Sequence, residues 1–206
     1  MRSRVFNLLR QPRALLLTLL ALVITALLIP AERQIGANIR LVITHGAWVW
    51  TGLLTFGAAA LAGLAALLLR RETLAHWSLA LGRTGLFFWL TYLPMSLLLM
   101  QLNWGGLYFD EPRWRIPFTF AMVSVLLQAG LSLIGRPALT ALGNLLFGTA
   151  LWVMLLPAGS VLHPESPVAQ SGSSRIQIFF ILLLALSLLV AAQIAAKVPS
   201  RCKSAR

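Results

Sequence analysis

A chain of 206 residues with 59% hydrophobic and only 11% charged positions, at a mean hydropathy of +0.84, carries more apolar surface than a soluble core of its size can bury. That excludes a water-soluble enzyme. The formal charge of +12 does not make it a nucleic-acid binder either, because the basic residues gather on alternate connections between apolar stretches, as the positive-inside rule expects.

Six stretches are apolar enough to cross roughly 30 Å of hydrocarbon, which takes about 20 helical residues. They fall at 14–30, 41–69, 77–102, 116–135, 137–157 and 176–196. Lipid offers no water to backbone N–H and C=O groups, so each stretch is expected as a helix. The fold class predicted is all-α, a polytopic bundle of six transmembrane helices forming a single integral membrane domain over 1–206.

The first stretch follows Arg2, Arg4, Arg10 and Arg13 and reads as a retained signal anchor, since Pro30-Ala31-Glu32-Arg33 is a poor small-residue cleavage site. The second has no formal charge from Leu41 to Leu69, about 43 Å of helix. With its inner end at Arg70 and Arg71, the outer hydrocarbon boundary falls near Trp50, and His45 lies about 7 Å farther out. Gly46, Gly52, Gly57 and Gly63 offer a narrow surface for another helix backbone. In the third stretch, Arg83 is expected to snorkel to inner headgroups and Pro94 to kink the outer half.

The outer connection 103–115 holds Trp104, Gly105, Gly106, Tyr108, Phe109, Asp110, Glu111, Arg113 and Trp114. Glycines there permit tight turning, and the rings offer flat apolar faces. Asp110, Glu111, Arg113 and Arg115 interleave charge, with the arginines as natural carboxylate partners. Pro137 suits the first turn of the fifth helix. Beyond that helix, the second long outer connection, 158–175, carries His163. Cys202, the single cysteine, sits in the basic tail, so no intrachain disulfide forms.

With both termini inside, twelve of the 17 basic residues lie on the cytoplasmic connections and five outside, together with four of the five acids. On that topology His45, the 103–115 loop and His163 share the extracytoplasmic face. Two imidazoles flanking an aromatic shelf suit a flat apolar ligand with a metal centre, since neutral imidazole is a common axial ligand of haem iron and two of them cap both faces of one porphyrin. An interfacial aromatic belt is the plainer reading of Trp48, Trp50 and Trp152. Zinc held by the two histidines with Asp110 and Glu165 is the rival metal, although it gives the aromatic loop no role. His76, beside Trp77 in a basic turn, reads as a headgroup neighbour.

The order His45, Trp104 to Trp114, His163 resembles the cytochrome c assembly family, haem-handling membrane proteins with a tryptophan-rich outer loop called the WWD domain. The family has six core helices, a histidine near the outer end of the span two before that loop, and a second histidine in the next outer loop. Locally, Trp104-Gly105, Tyr108-Phe109, Asp110 and Pro112-Arg113 are similar to its loop, with Phe109 where a second tryptophan is usual. His45-Gly46-Ala47-Trp48 and Leu162-His163-Pro164 are similar to its histidine segments.

The resemblance implies haem trafficking in cytochrome c maturation rather than turnover of a substrate. Non-covalent b-type haem would be held at the outer face of the plasma (inner) membrane by His45 and His163 as axial ligands, on a loop contributing Trp104, Gly105, Tyr108, Phe109, Asp110, Arg113 and Trp114. It would then pass to a haem chaperone or an apocytochrome c, with other maturation subunits as partners in the bilayer. Two alternatives are a b-type cytochrome anchor of an electron-transfer complex, which wants histidines at mid-membrane, and a small transporter, for which Gln128 and Asn144 are the polar candidates.

Overall fold

The computed structural model describes residues 7, 9–33, 35–159, 168 and 172–198. They form an all-α bundle of six helices: α1 (Pro12–Leu27), α2 (Ile39–Leu69), α3 (Glu72–Trp104), α4 (Pro112–Ile134), α5 (Pro137–Leu155) and α6 (Ser174–Lys197). Five of these, α2 to α6, are long and apolar enough to cross a membrane. The exception is α1, whose 16 residues rise about 24 Å, less than the hydrocarbon thickness. It ends at Leu27 because the next residues turn back: Ile29 is buried, its carbonyl accepts from Arg40 Nε at 2.9 Å, and Glu32 and Gly36 pair their backbones.

Proline and glycine punctuate the chain as their chemistry requires. Pro12, Pro112 and Pro137 each stand in a first helical turn, where the missing N–H has no intrahelical partner to lose. Gly105 and Gly135 end α3 and α4 in the left-handed region, at φ of 70° and 66°. Arg70 ends α2 in the same conformation at φ 51°, although it carries a Cβ.

The α2–α3 hairpin is the centre of the bundle. Both of its helices also pack on α5 and α6, while α4 leans on α3 and α5, and α1 mainly on α6. Because lipid tails are as apolar as leucine, association here rests on close packing and interhelical hydrogen bonds rather than on exclusion of water. The Phe56 ring of α2 fills the space left by Gly85 of α3, where an added Cβ would come within 2.8 Å of it, and lies against Trp89 and Phe147. The glycines of α2 do not share one surface. Gly46 faces Phe180 of α6, Gly52 faces Trp89 of α3, Gly57 faces Trp152 and Gly63 the Ala141 carbonyl, both on α5. On a 3.6-residue helix Gly46 and Gly57, eleven residues apart, fall on one side and Gly52 and Gly63 on another, so the neighbour each admits also depends on its level along α2.

A buried polar node ties α3, α4 and α5. Asn144 Nδ2 donates to the Ser78 carbonyl and hydroxyl, both at 3.0 Å, which leaves Asn144 Oδ1 to accept from Gln128 Nε2 at 2.7 Å. The Ser78 hydroxyl in turn donates to the Ala59 carbonyl of α2. Gly82 makes room for the node, since a Cβ there would meet both amides. Arg83 donates to Ser132 near the end of α4, which draws its charge toward that end of the bundle.

Candidate functional site: the His45–Trp114 end of the bundle

The start of α2, the end of α3 and the start of α4 lie at one end of the bundle because the three helices run alternately. The segment carrying His45 is anchored to α3 by Trp48, whose Nε1 donates to Thr91 Oγ1 at 2.8 Å and whose ring packs on Phe88 at 4.5 Å. Ala47 is buried, and Gly46 lets the Phe180 ring of α6 come close. That docking leaves His45 half-buried with its ring edge-on to Tyr92 of α3, centroids 5.7 Å apart and planes at 65°.

From Tyr92 a row of rings crosses the bundle. Tyr92 meets Trp89 at 4.9 Å, and Trp89 Nε1 donates to the Pro117 carbonyl of α4 at 3.0 Å. Next to Pro117 in sequence, Phe118 stacks on Trp114 at 5.8 Å and 22°, and Trp114 meets Phe109 of the loop at 6.1 Å. His45 and the aromatic loop are thus linked through two pairs of rings, Tyr92 with Trp89 and Phe118 with Trp114, joined across the Pro117 backbone. Tyr92, Trp89 and Trp114 belong to one buried cluster, against which Trp104 packs.

The loop itself is shorter than 103–115. Helix α3 continues through Trp104 and α4 begins at Pro112, so only 105–111 are non-helical. The reason is local. Asn103 and Trp104 keep the helix, with Asn103 Nδ2 donating back to the Leu99 carbonyl; Gly105 supplies the left-handed stop, and Pro112 starts the next helix. Trp114 is therefore a helical core residue, only 5% exposed, and Glu111 is buried at 4%. Tyr108 and Phe109 are exposed with Leu107, and Asp110 is exposed as well, while Arg113 is half-buried. Tyr108 turns back on Trp104, ring to ring at 6.2 Å and hydroxyl to carbonyl at 3.4 Å.

His163 and Glu165 lie outside the described residues. Among the described residues, no three His, Cys, Asp or Glu side chains gather as a metal-binding group.

Two residues that matter to this end were not singled out from the sequence. Tyr92 is one of only two tyrosines, 3% exposed, and its hydroxyl has no hydrogen-bond partner among the described residues. Trp89 is fully buried and links α3 to α4. Both sit inside a continuous apolar run, where nothing but a polar tip on an aromatic ring distinguishes them from core.

Comparisons of the chain with protein-family models, with curated proteins and with solved structures find no match.

Proposed function

We propose that the protein handles haem at the His45 end of the bundle, taking part in cytochrome c maturation as a carrier rather than a catalyst. The single observation that carries the reading is the contact of His45 with Tyr92 at the head of the aromatic row that ends on Trp114 and Phe109.

The residues fit haem in three respects. His45 offers a half-buried imidazole in the second turn of α2, Tyr108 and Phe109 expose apolar ring faces, and the exposed Arg115 with Arg113 supplies cationic groups for propionates. One adjustment is required: His45 Nε2 is buried, so ligation needs the ring to turn about its side-chain torsions. His45 and His163 would hold haem, which when bound would supply the iron centre that the protein carries. Tyr92 would limit how far the His45 ring swings, and Asp110 on the exposed loop would orient a basic partner. A haem chaperone or apocytochrome c is the proposed recipient, and the extracytoplasmic face of the plasma membrane the proposed location.

The transporter alternative draws on Gln128 and Asn144. They are hydrogen-bonded to each other and to Ser78 and tightly enclosed, which suits packing better than a solute path.

Purification from haem-replete membranes, followed by absorption spectra of wild type, His45→Ala, His163→Ala and His76→Ala, tests the proposal. The expected result is a low-spin haem signal weakened by either of the first two changes and indifferent to the third. Wild type that carries zinc and no haem, or haem unaffected by both ligand changes, would overturn it.

A further inference from the structure

The geometry points to a binding site for one anionic glycerophospholipid on the α2–α5 seam, its phosphate held by Arg70, Arg71 and Arg136 and an acyl chain lying in the adjoining groove. An outward-facing apolar groove of about 560 Å³ runs along this seam, lined among others by Gly57, Ala58, Leu61, Leu64, Thr149 and Val153. Its far end is closed by Trp152, whose Nε1 donates to the Leu53 carbonyl across the seam at 3.2 Å.

What lies at the near end follows from where the two helices touch. A Cβ on Gly63 would collide with the Ala141 carbonyl, so α2 and α5 are in backbone contact at that level. From there Arg70 is seven residues on in α2, about 10 Å, and Arg136 five residues back from Ala141, about 8 Å. Arg71 follows Arg70. All three side chains are exposed at the same end of adjacent helices, with Glu72, in the first turn of α3, the acid beside them in sequence. Basic clusters between membrane helices at headgroup level recognise anionic lipid headgroups.

One further observation favours a bound lipid over another occupant. A second copy of the chain, inserted in the same orientation, would instead set a second arginine cluster beside the first. The dimensions agree: Leu64 lies about 9 Å from the level of Arg70, and one leaflet, about 15 Å deep, ends near Ala60. The terminal half of a single acyl chain thus reaches the groove beside Leu61 and Leu64.

The full-length protein in neutral detergent is the sample for the test, titrated with phosphatidylglycerol or phosphatidylcholine, with bound lipid and oligomeric mass read by native mass spectrometry. Each arginine near the phosphate contributes about fivefold in affinity, so wild type should prefer phosphatidylglycerol by about a hundredfold. Arg70→Gln/Arg71→Gln/Arg136→Gln should abolish the preference. Leu64→Trp, which fills the part of the groove that the chain reaches and keeps the charges, should lower occupancy by both lipids. Equal binding of the two lipids by wild type, a preference that survives the triple change, or a lipid-free dimer would each overturn the assignment. If the triple variant does not fold, the wild-type preference and the Leu64→Trp occupancy decide alone.

Discussion

Tyr92 places a hydroxyl without a hydrogen-bond partner among the described residues in the tightly packed centre of one end of the bundle, against His45. A buried unsatisfied hydroxyl costs about 1–3 kcal/mol, so Tyr92→Phe should leave the fold as stable or raise it by about 1 kcal/mol. Thermal unfolding in detergent reads this directly, and a clear loss of stability would mean the hydroxyl has a partner when the protein sits in its membrane. Under the haem proposal Tyr92→Leu removes the ring that meets His45, and should lower the haem retained per folded molecule. Arg70 supplies a second residue-scale case. Its left-handed backbone costs about 1 kcal/mol relative to glycine, so Arg70→Gly should raise the unfolding free energy by about that amount. The same substitution should weaken binding of anionic lipid, separating the conformational effect from the charge.

Between elements, the decisive contacts are those in which a ring or an amide occupies space that a glycine vacates. Gly85→Ala would drive a Cβ within 2.8 Å of the Phe56 ring, and overpacking of this kind typically costs about 1–3 kcal/mol. The unfolding midpoint of α2–α3 should fall accordingly, whereas Gly130→Ala, which meets nothing within 4 Å, should be neutral or better. The polar node behaves as a unit. Asn144→Leu strips Gln128 and Ser78 of their partner at once, and since membrane-buried hydrogen bonds are each worth about 0.6 kcal/mol, the loss should be about 1–2 kcal/mol. A double change with Gln128→Leu should then cost less than the sum of the two, because the second removes a group already left unsatisfied.

For the whole molecule, sidedness is the open quantity, and the single cysteine makes it easy to measure. On a Cys202→Ser background, Leu107→Cys and Gly135→Cys should react with an impermeant reagent from opposite faces, since they lie on connections separated by the full length of α4. Helix α1 is the test of the six-span topology. Asn7→Cys should label from the same face as Gly135→Cys if α1 crosses, and from the face of Leu107→Cys if its 16 residues do not. Arg10 Nε, bonded to the Ala196 carbonyl at 2.7 Å, and Gln193, bonded to Thr18 at 3.1 Å, hold α1 along α6. Substituting Gln193 should loosen α1 selectively and raise protease access to its ends.

The helical character and the number of helices were legible in the sequence, because long apolar runs have no other way to satisfy their backbones in lipid and Pro137 marked the start of α5. The runs place most ends only to within a few residues, so Gly105 and Pro112, the local stop and start, fall inside the expected 103–115 loop. Residue types also marked His45 and the 103–115 segment as the chemically distinctive end. Tertiary structure alone decided that Trp114 is core rather than shelf, that the α2 glycines serve three different neighbours, and that Tyr92 meets His45. Helical periodicity assigns a residue an angle on its own helix, but which neighbour occupies that angle depends on how six helices pack around one another. In an almost uniformly apolar chain that arrangement leaves little trace in the pattern of residues.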